Sequence, residues 1–130
     1  MTGFQANGFE GLRTLVVEDN AMLSMMLQGM LRDMGCEIVG SAASVDEALE
    51  LGRTLALDFA ILDLNIDGEA SYPVADVLEA RGIPCLFATG YALSSLPERF
   101  TPHAAIAKPF MVEELRGALR RLLAGRRGGT

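Results

Sequence analysis

Five short apolar runs, each followed by polar residues at a strand end or turn, set the frame of this 130-residue chain. RTLVV (13–17), CEIVGSA (36–42), Asp58 to Leu62, IPCLFAT (83–89) and HAAIA (103–107) read as buried strands. Helical spacing fills the gaps. From Asn20 to Met34 the apolar residues Met22, Leu23, Met26, Leu27, Met30, Leu31 and Met34 share one stripe, with Asn20 as N-cap and Gly35 as the glycine stop. At this spacing the five methionines between 22 and 34 read as core, with an adaptable binding surface as the alternative. SVDE, from Ser44, resembles a capping box with Glu47 three residues on. Ser71 is expected to cap a third helix, with Pro73 tolerated in its first turn. A weaker helix covers roughly 92–98, Pro102 breaks the chain, and a last helix runs from about Phe110 to Ala124 with Leu115, Leu119, Leu122 and Leu123 inward. Strands and helices alternating through short connections call for an α/β fold, a doubly wound five-stranded parallel sheet flanked by helices on both faces. The expected domain covers 12–124, between a flexible leader at 1–11 and a frayed tail at 125–130.

In such sheets, sites form beyond the carboxyl ends of the strands, where the strand order switches. The first strand ends in Glu18 and Asp19, the third in Asp63, the fourth in Thr89, and the fifth in Lys108 before Pro109. Three carboxylates, a hydroxyl and an ammonium therefore converge. Carboxylates so grouped repel one another without a counter-ion. A hard dication such as Mg²⁺ resolves the repulsion while keeping several waters, and Lys108 adds a further positive charge. The set suits phosphoryl transfer, in which the protein positions an attacking oxygen and neutralises the equatorial phosphoryl oxygens. Asp63 is the candidate nucleophile, forming an acyl phosphate, with Thr89 and Lys108 on the phosphoryl oxygens.

Composition narrows the rest. A formal charge of −6 argues against general binding to nucleic-acid phosphates. Arg116, Arg120, Arg121, Arg126 and Arg127 read as a solvated helix end, with partner docking as the alternative. No apolar run approaches the roughly 20 residues of a membrane span, and the N-terminus lacks the pattern of a signal peptide. Cys36 and Cys85, each in an apolar stretch, read as buried free thiols, which makes a reducing cytoplasm the expected location. His103, the sole histidine, reads as structural or exposed. Neither GxxxxGK[ST] nor GxGxxG occurs, so nucleotide binding is poorly supported.

VVEDN (16–20), ILDLN (61–65), FATGY (87–91) and AKPF (107–110) together resemble the signature segments of the response-regulator receiver domain, over about residues 12–124. The resemblance implies that Asp63 is the phosphoacceptor and that Glu18 and Asp19 are the acidic Mg²⁺ pair. It also implies that Asn65 offers its backbone carbonyl to the metal, and that Thr89 and Lys108 are the switch hydroxyl and lysine. FATGY is similar to the receiver subgroup known as FAT GUY, often single-domain, which usually has an aromatic where this chain has Cys85. Typical receivers place Tyr or Phe three residues before the lysine; here that position is Ala105, and Tyr91 is the expected substitute in transmitting the switch.

The expected function is a single-domain, Mg²⁺-dependent switch, relay or phosphate sink. Its phosphodonor would be a sensor histidine kinase or histidine phosphotransferase, and its output would pass to a downstream protein target. It would not be an enzyme, beyond slow self-hydrolysis of the acyl phosphate. The rivals are a small aspartate-nucleophile phosphatase, which normally wants a second acid where Asn65 stands, and a degenerate receiver acting only as a binding module.

Overall fold

The computed structural model describes residues 8–90 and 105–128. Its strands are β1 (Arg13–Val17), β2 (Glu37–Ala42), β3 (Phe59–Asp63), β4 (Asn65–Ile66), β5 (Glu69–Ala70), β6 (Cys85–Thr89) and β7 (Ala105–Ala107). The helices are α1 (Ala21–Asp33), α2 (Val45–Thr54), α3 (Tyr72–Ala80) and α4 (Val112–Gly128). Five strands make one sheet in the order β2-β1-β3-β6-β7, all neighbours parallel. The chain leaves β1 to one side for β2 and returns on its other side for β3, so the switch in direction falls between β1 and β3.

Alternate side chains of each strand enter opposite cores, which is why the strands read as unbroken apolar runs. On one face Leu15, Val17, Ala60, Leu62 and Phe87 pack with Val45 and Ala48 of α2 and Val74, Ala75 and Leu78 of α3. On the other, Val16, Phe59, Ile61, Leu86 and Ala88 pack with Leu27 and Leu31 of α1 and Leu115, Ala118, Leu119 and Leu122 of α4. Burying each large side chain contributes about 1.5–3 kcal/mol to holding the four described helices against the sheet.

Local chemistry sets the helix ends. Asn20 Oδ1 accepts the Leu23 N–H at 3.0 Å, as expected of the cap. Ser44 Oγ accepts the Glu47 N–H at 3.1 Å, and Glu47 Oε1 accepts from the Ala43 N–H at 3.0 Å, one residue before the usual capping-box partner. Gly35, with φ at 102°, turns the chain out of α1.

Several expectations shift. The leader does not run free to residue 11, because Phe9 is 1% exposed within the α1–α4 core and Gly11 N donates to Gly35 O. The last helix continues to Gly128 instead of fraying after Ala124. Ser71 precedes α3 but makes no side-chain cap, its hydroxyl being used elsewhere. Most consequentially, Met22, Met25 and Met26 are exposed rather than core, while Met34 is buried. Among the arginines, Arg116 pairs with Glu113 at 2.6 Å and Arg120 lies over the Phe9 ring at 5.9 Å. Both cysteines are free. Burial pushes the Cys36 thiol up to about 11, partly offset by a hydrogen bond with Thr14. Burial, then the charge of Glu79, pushes Cys85 up to about 12. The helix expected at 92–98, Tyr91 and His103 lie outside the described residues. No helix among the described residues is long and apolar enough to cross a membrane.

Candidate functional site

The pocket assembles at the carboxyl ends of β1, β3, β6 and β7, astride the switch in strand order. Glu18 and Asp19 follow β1, and Glu18 N donates to Ala42 O at 3.0 Å, tying that turn to β2. Glu18 is 5% exposed, and its Oε2 accepts the Asn20 N–H at 3.0 Å. Its other oxygen, Oε1, accepts from Lys108 Nζ at 2.7 Å. The same ammonium donates to Asp63 Oδ2 at 2.8 Å. Glu18, Asp19 and Asp63 each offer an oxygen within 4.8 Å of the others.

Lys108 is drawn in by backbone as well as charge, since its N–H donates to Thr89 O at 2.7 Å. The Lys108–Pro109 peptide is cis. Thr89, the last residue of β6, is fully buried. Burial by itself would lower the Lys108 ammonium, but hydrogen bonds and charges from Asp63 and Glu18 outweigh that and hold it above its ordinary value.

The loop after β3 is more ordered than a polar connection requires. Asp67 and Gly68 both have positive φ, 52° and 84°, as a type I′ hairpin turn demands. They join β4 to β5, with Asn65 opposite Ala70 and Ile66 opposite Glu69. Asn65 Oδ1 accepts the Gly68 N–H at 3.1 Å, and Asn65 N donates to Asp63 Oδ1 at 3.3 Å. From the tip, Asp67 N donates to Asp19 Oδ2 at 2.7 Å, fixing the exposed carboxylate. Ser71 Oγ donates to the Asp63 backbone carbonyl at 2.6 Å.

Glu18, Asp19, Asp63, Thr89 and Lys108, chosen from strand ends, and Asn65, implied by the resemblance, thus occupy one locality; Tyr91 lies outside the described residues. The sequence reading missed Ser71 and the Asp67 amide. The DG dipeptide at 67–68 was the available signal for the second; Ser71 had none, because its partner lies eight residues back and is brought near only by the intervening hairpin.

Three carboxylates against one ammonium leave net negative charge in hard oxygen donors. That set fits a dication bound by few carboxylates and several waters, as Mg²⁺ is. Beside the acids opens a cleft of about 320 Å³ with largely apolar walls, including Leu23, Met26, Leu27, Met30 and Phe110, and with Asp63 and Lys108 at its polar end.

The family model for the response regulator receiver domain matches residues 14–120. The transcriptional regulatory protein PdtaR of Mycobacterium tuberculosis is 34% identical over 107 residues, covering 79% of this chain and 52% of that protein. The phyllosphere-induced regulator PhyR of Methylorubrum extorquens is 30% identical over 105 residues, covering 74% and 38%. The chain therefore spans about half the length, or less, of these curated relatives. The solution structure of SdrG from Sphingomonas melonis Fr1 is similar at a TM-score of 0.77 and 38% identity, covering 87% of this chain and 97% of that one.

Proposed function

This chain belongs to the response regulator receiver domain family, and from that premise we propose that it accepts a phosphoryl group on Asp63 from a histidine kinase or histidine phosphotransferase. The observation that carries the reading is the Lys108 ammonium bridging Asp63 and Glu18 within 2.8 Å, with Asp19 completing the acidic group.

In this reading an Asp63 oxygen attacks phosphorus, the bond to the donor imidazole nitrogen breaks, and its electron pair leaves with the imidazole. An acyl phosphate results. Lys108, already charged and within hydrogen-bond distance of Asp63, turns to a phosphoryl oxygen, and the Thr89 hydroxyl binds another. Glu18, Asp19, Asp63 and the Asn65 backbone carbonyl would hold Mg²⁺, whose positive charge offsets that of the carboxylates and the phosphoryl group. The Ser71 and Asn65 hydrogen bonds fix Asp63 from behind, so that little reorganisation accompanies transfer.

Output passes through Thr89 and Tyr91 to a downstream protein target, with relay or phosphate storage as the other uses of the same chemistry. Ala105, buried in β7, stands where receivers usually carry the reporting aromatic, which supports Tyr91 in that role and the FAT GUY assignment. The setting is cytoplasmic, and the acyl phosphate hydrolyses slowly. Against the phosphatase alternative, the side chain two residues past Asp63 is an amide engaged in the hairpin.

The test is incubation with acetyl phosphate, with and without Mg²⁺, followed by intact mass measurement alongside Asp63→Asn. One phosphoryl adduct is expected, dependent on metal and lost in the variant. An adduct on the variant moves the nucleophile elsewhere; sustained release of phosphate over many turnovers makes the protein a phosphatase.

A further inference from the structure

Among the described residues, the exposed large hydrophobic side chains are Met22, Leu23, Met25, Met26 and Met111. Four of these five are thioethers, though leucine is far commoner in the chain. Met22, Met25 and Met111 are 71%, 72% and 72% exposed and Met26 is 54% exposed, whereas Met34, at the end of α1, is 1% exposed. They cluster by position as well as chemistry. Met22, Met25 and Met26 lie on the first turns of α1, directly after the Glu18–Asp19 turn. Met111 follows the Lys108–Pro109–Phe110 segment, which lines the cleft, and Met26 is itself a wall of that cleft.

We propose that Met22, Met25, Met26 and Met111 form a peroxide-oxidisable modification site beside the acidic pocket, and that their conversion to sulfoxides turns this face from apolar to polar. The chemistry is complete with a hydroperoxide as oxidant. The thioether sulfur gives a lone pair to one peroxide oxygen, the O–O bond breaks, and an S–O bond forms. The proton on the transferred oxygen goes to the departing hydroxide, which leaves as water. Sulfur is oxidised and the peroxide reduced, and a sulfoxide reductase reverses the change. A sulfoxide is a strong acceptor on a formerly apolar chain, so an apolar occupant of the cleft loses contact with Met26. The groups that hydrogen-bond Asp63, from Asn65, Ser71 and Lys108, include no thioether, so the phosphoacceptor's own partners are left unmodified. Leu23, exposed among them, offers no such conversion.

The experiment treats the full chain with limiting hydrogen peroxide and maps oxygen uptake by peptide mass spectrometry. Met22, Met25, Met26 and Met111 are expected to oxidise on the order of tenfold faster than Met34. Nile red, a neutral apolar dye, should lose roughly threefold or more of its protein-bound fluorescence after oxidation and regain it with methionine sulfoxide reductase. The variant with all four replaced by Leu should bind the dye equally before and after limiting peroxide, while circular dichroism shows both proteins folded throughout. Oxidation of Met34 at the rate of Met22 overturns the site, and full oxidation with unchanged dye binding overturns the polarity switch. Acetyl phosphate labelling should be the same before and after oxidation; selective loss afterwards refutes separation from the pocket. Absence of labelling in untreated protein bears instead on the phosphoacceptor reading.

Discussion

Lys108 Nζ lies 2.8 Å from Asp63 Oδ2 while also reaching Glu18 at 2.7 Å, so one ammonium holds together carboxylates at the ends of two different strands. Replacing it by Met keeps an unbranched side chain, one atom shorter, and removes the charge together with its two hydrogen bonds. Three effects follow, and the first two have opposite signs. Labelling of Asp63 by acetyl phosphate should slow by about 100-fold, because a phosphoryl oxygen loses its cation. Divalent-cation affinity should tighten by roughly threefold to tenfold, because the carboxylates lose an internal competitor. Stability should fall by about 1–3 kcal/mol, since Glu18 is left buried without its partner. Labelling rate, metal titration and urea unfolding of Lys108→Met read the three separately; labelling at the wild-type rate removes Lys108 from the transfer step.

The thiols give a pH prediction. Cys36 and Cys85 are pushed up to about 11 and about 12 from an ordinary 9.0, in each case chiefly because burial disfavours the thiolate. A folded-state value above the unfolded one means a contribution fully present below about pH 9 and lost as pH rises toward the folded value. Lys108, also raised, acts in the same direction. Urea midpoints should therefore decline above about pH 9, and Cys36→Ala with Cys85→Ala should flatten that decline without abolishing it. Below that pH the native thiols should react with disulfide reagents far more slowly than in urea. A flat stability profile from neutral to alkaline pH would remove the burial argument.

These residues also show what the sequence could and could not reveal. The strands were legible because a parallel sheet buried on both faces writes unbroken apolar runs, and Asp63 and Lys108 were legible because their strands end abruptly in charge. The outward face of α1 was not. Met22, Met25 and Met26 satisfy an apolar stripe in composition, yet the sheet covers only the side carrying Leu27 and Leu31. Phe9 looked free because its partners, α1 and α4, are distant in sequence. The hydroxyl of Ser71 went to Asp63 O across eight positions, a choice set by the β4–β5 hairpin that folds the chain back.

Gly35 tests the join between α1 and β2. Its φ of 102° is one that side-chain-bearing residues rarely adopt, and a Cβ there would come within 3.1 Å of the Glu10 Cα. The opposing atoms include backbone, and Glu10 adjoins the buried Phe9, so relief is not simply a rotamer change. Gly35→Ala should destabilise by about 2 kcal/mol or more. Gly68→Ala, whose Cβ would meet nothing within 4 Å, isolates the cost of positive φ alone. Thermal unfolding should rank Gly35→Ala clearly below Gly68→Ala; equal values would mean that the Glu10 contact yields freely.

Asp19 separates the role of charge from that of shape. Its Oδ2 accepts the Asp67 N–H at 2.7 Å, and an amide oxygen in the same place can still accept that bond. Asp19→Asn thus removes a negative charge from the acidic group while keeping the hairpin attached. Without metal, the variant should be more stable than the parent by roughly 0.5–1 kcal/mol, because two carboxylates repel where three did. With Mg²⁺ the order should reverse. A ligand that binds only the folded state stabilises it by RT times the logarithm of one plus the ratio of its concentration to its Kd, and losing a charged oxygen ligand should weaken the cation by about tenfold or more, which is about 1.4 kcal/mol at saturating metal. The measurement is the melting temperature of both proteins across a Mg²⁺ titration. Curves that cross identify Asp19 as a ligand held in place by the hairpin. Parallel curves would leave the aspartate a turn residue and place the cation on Glu18 and Asp63 alone.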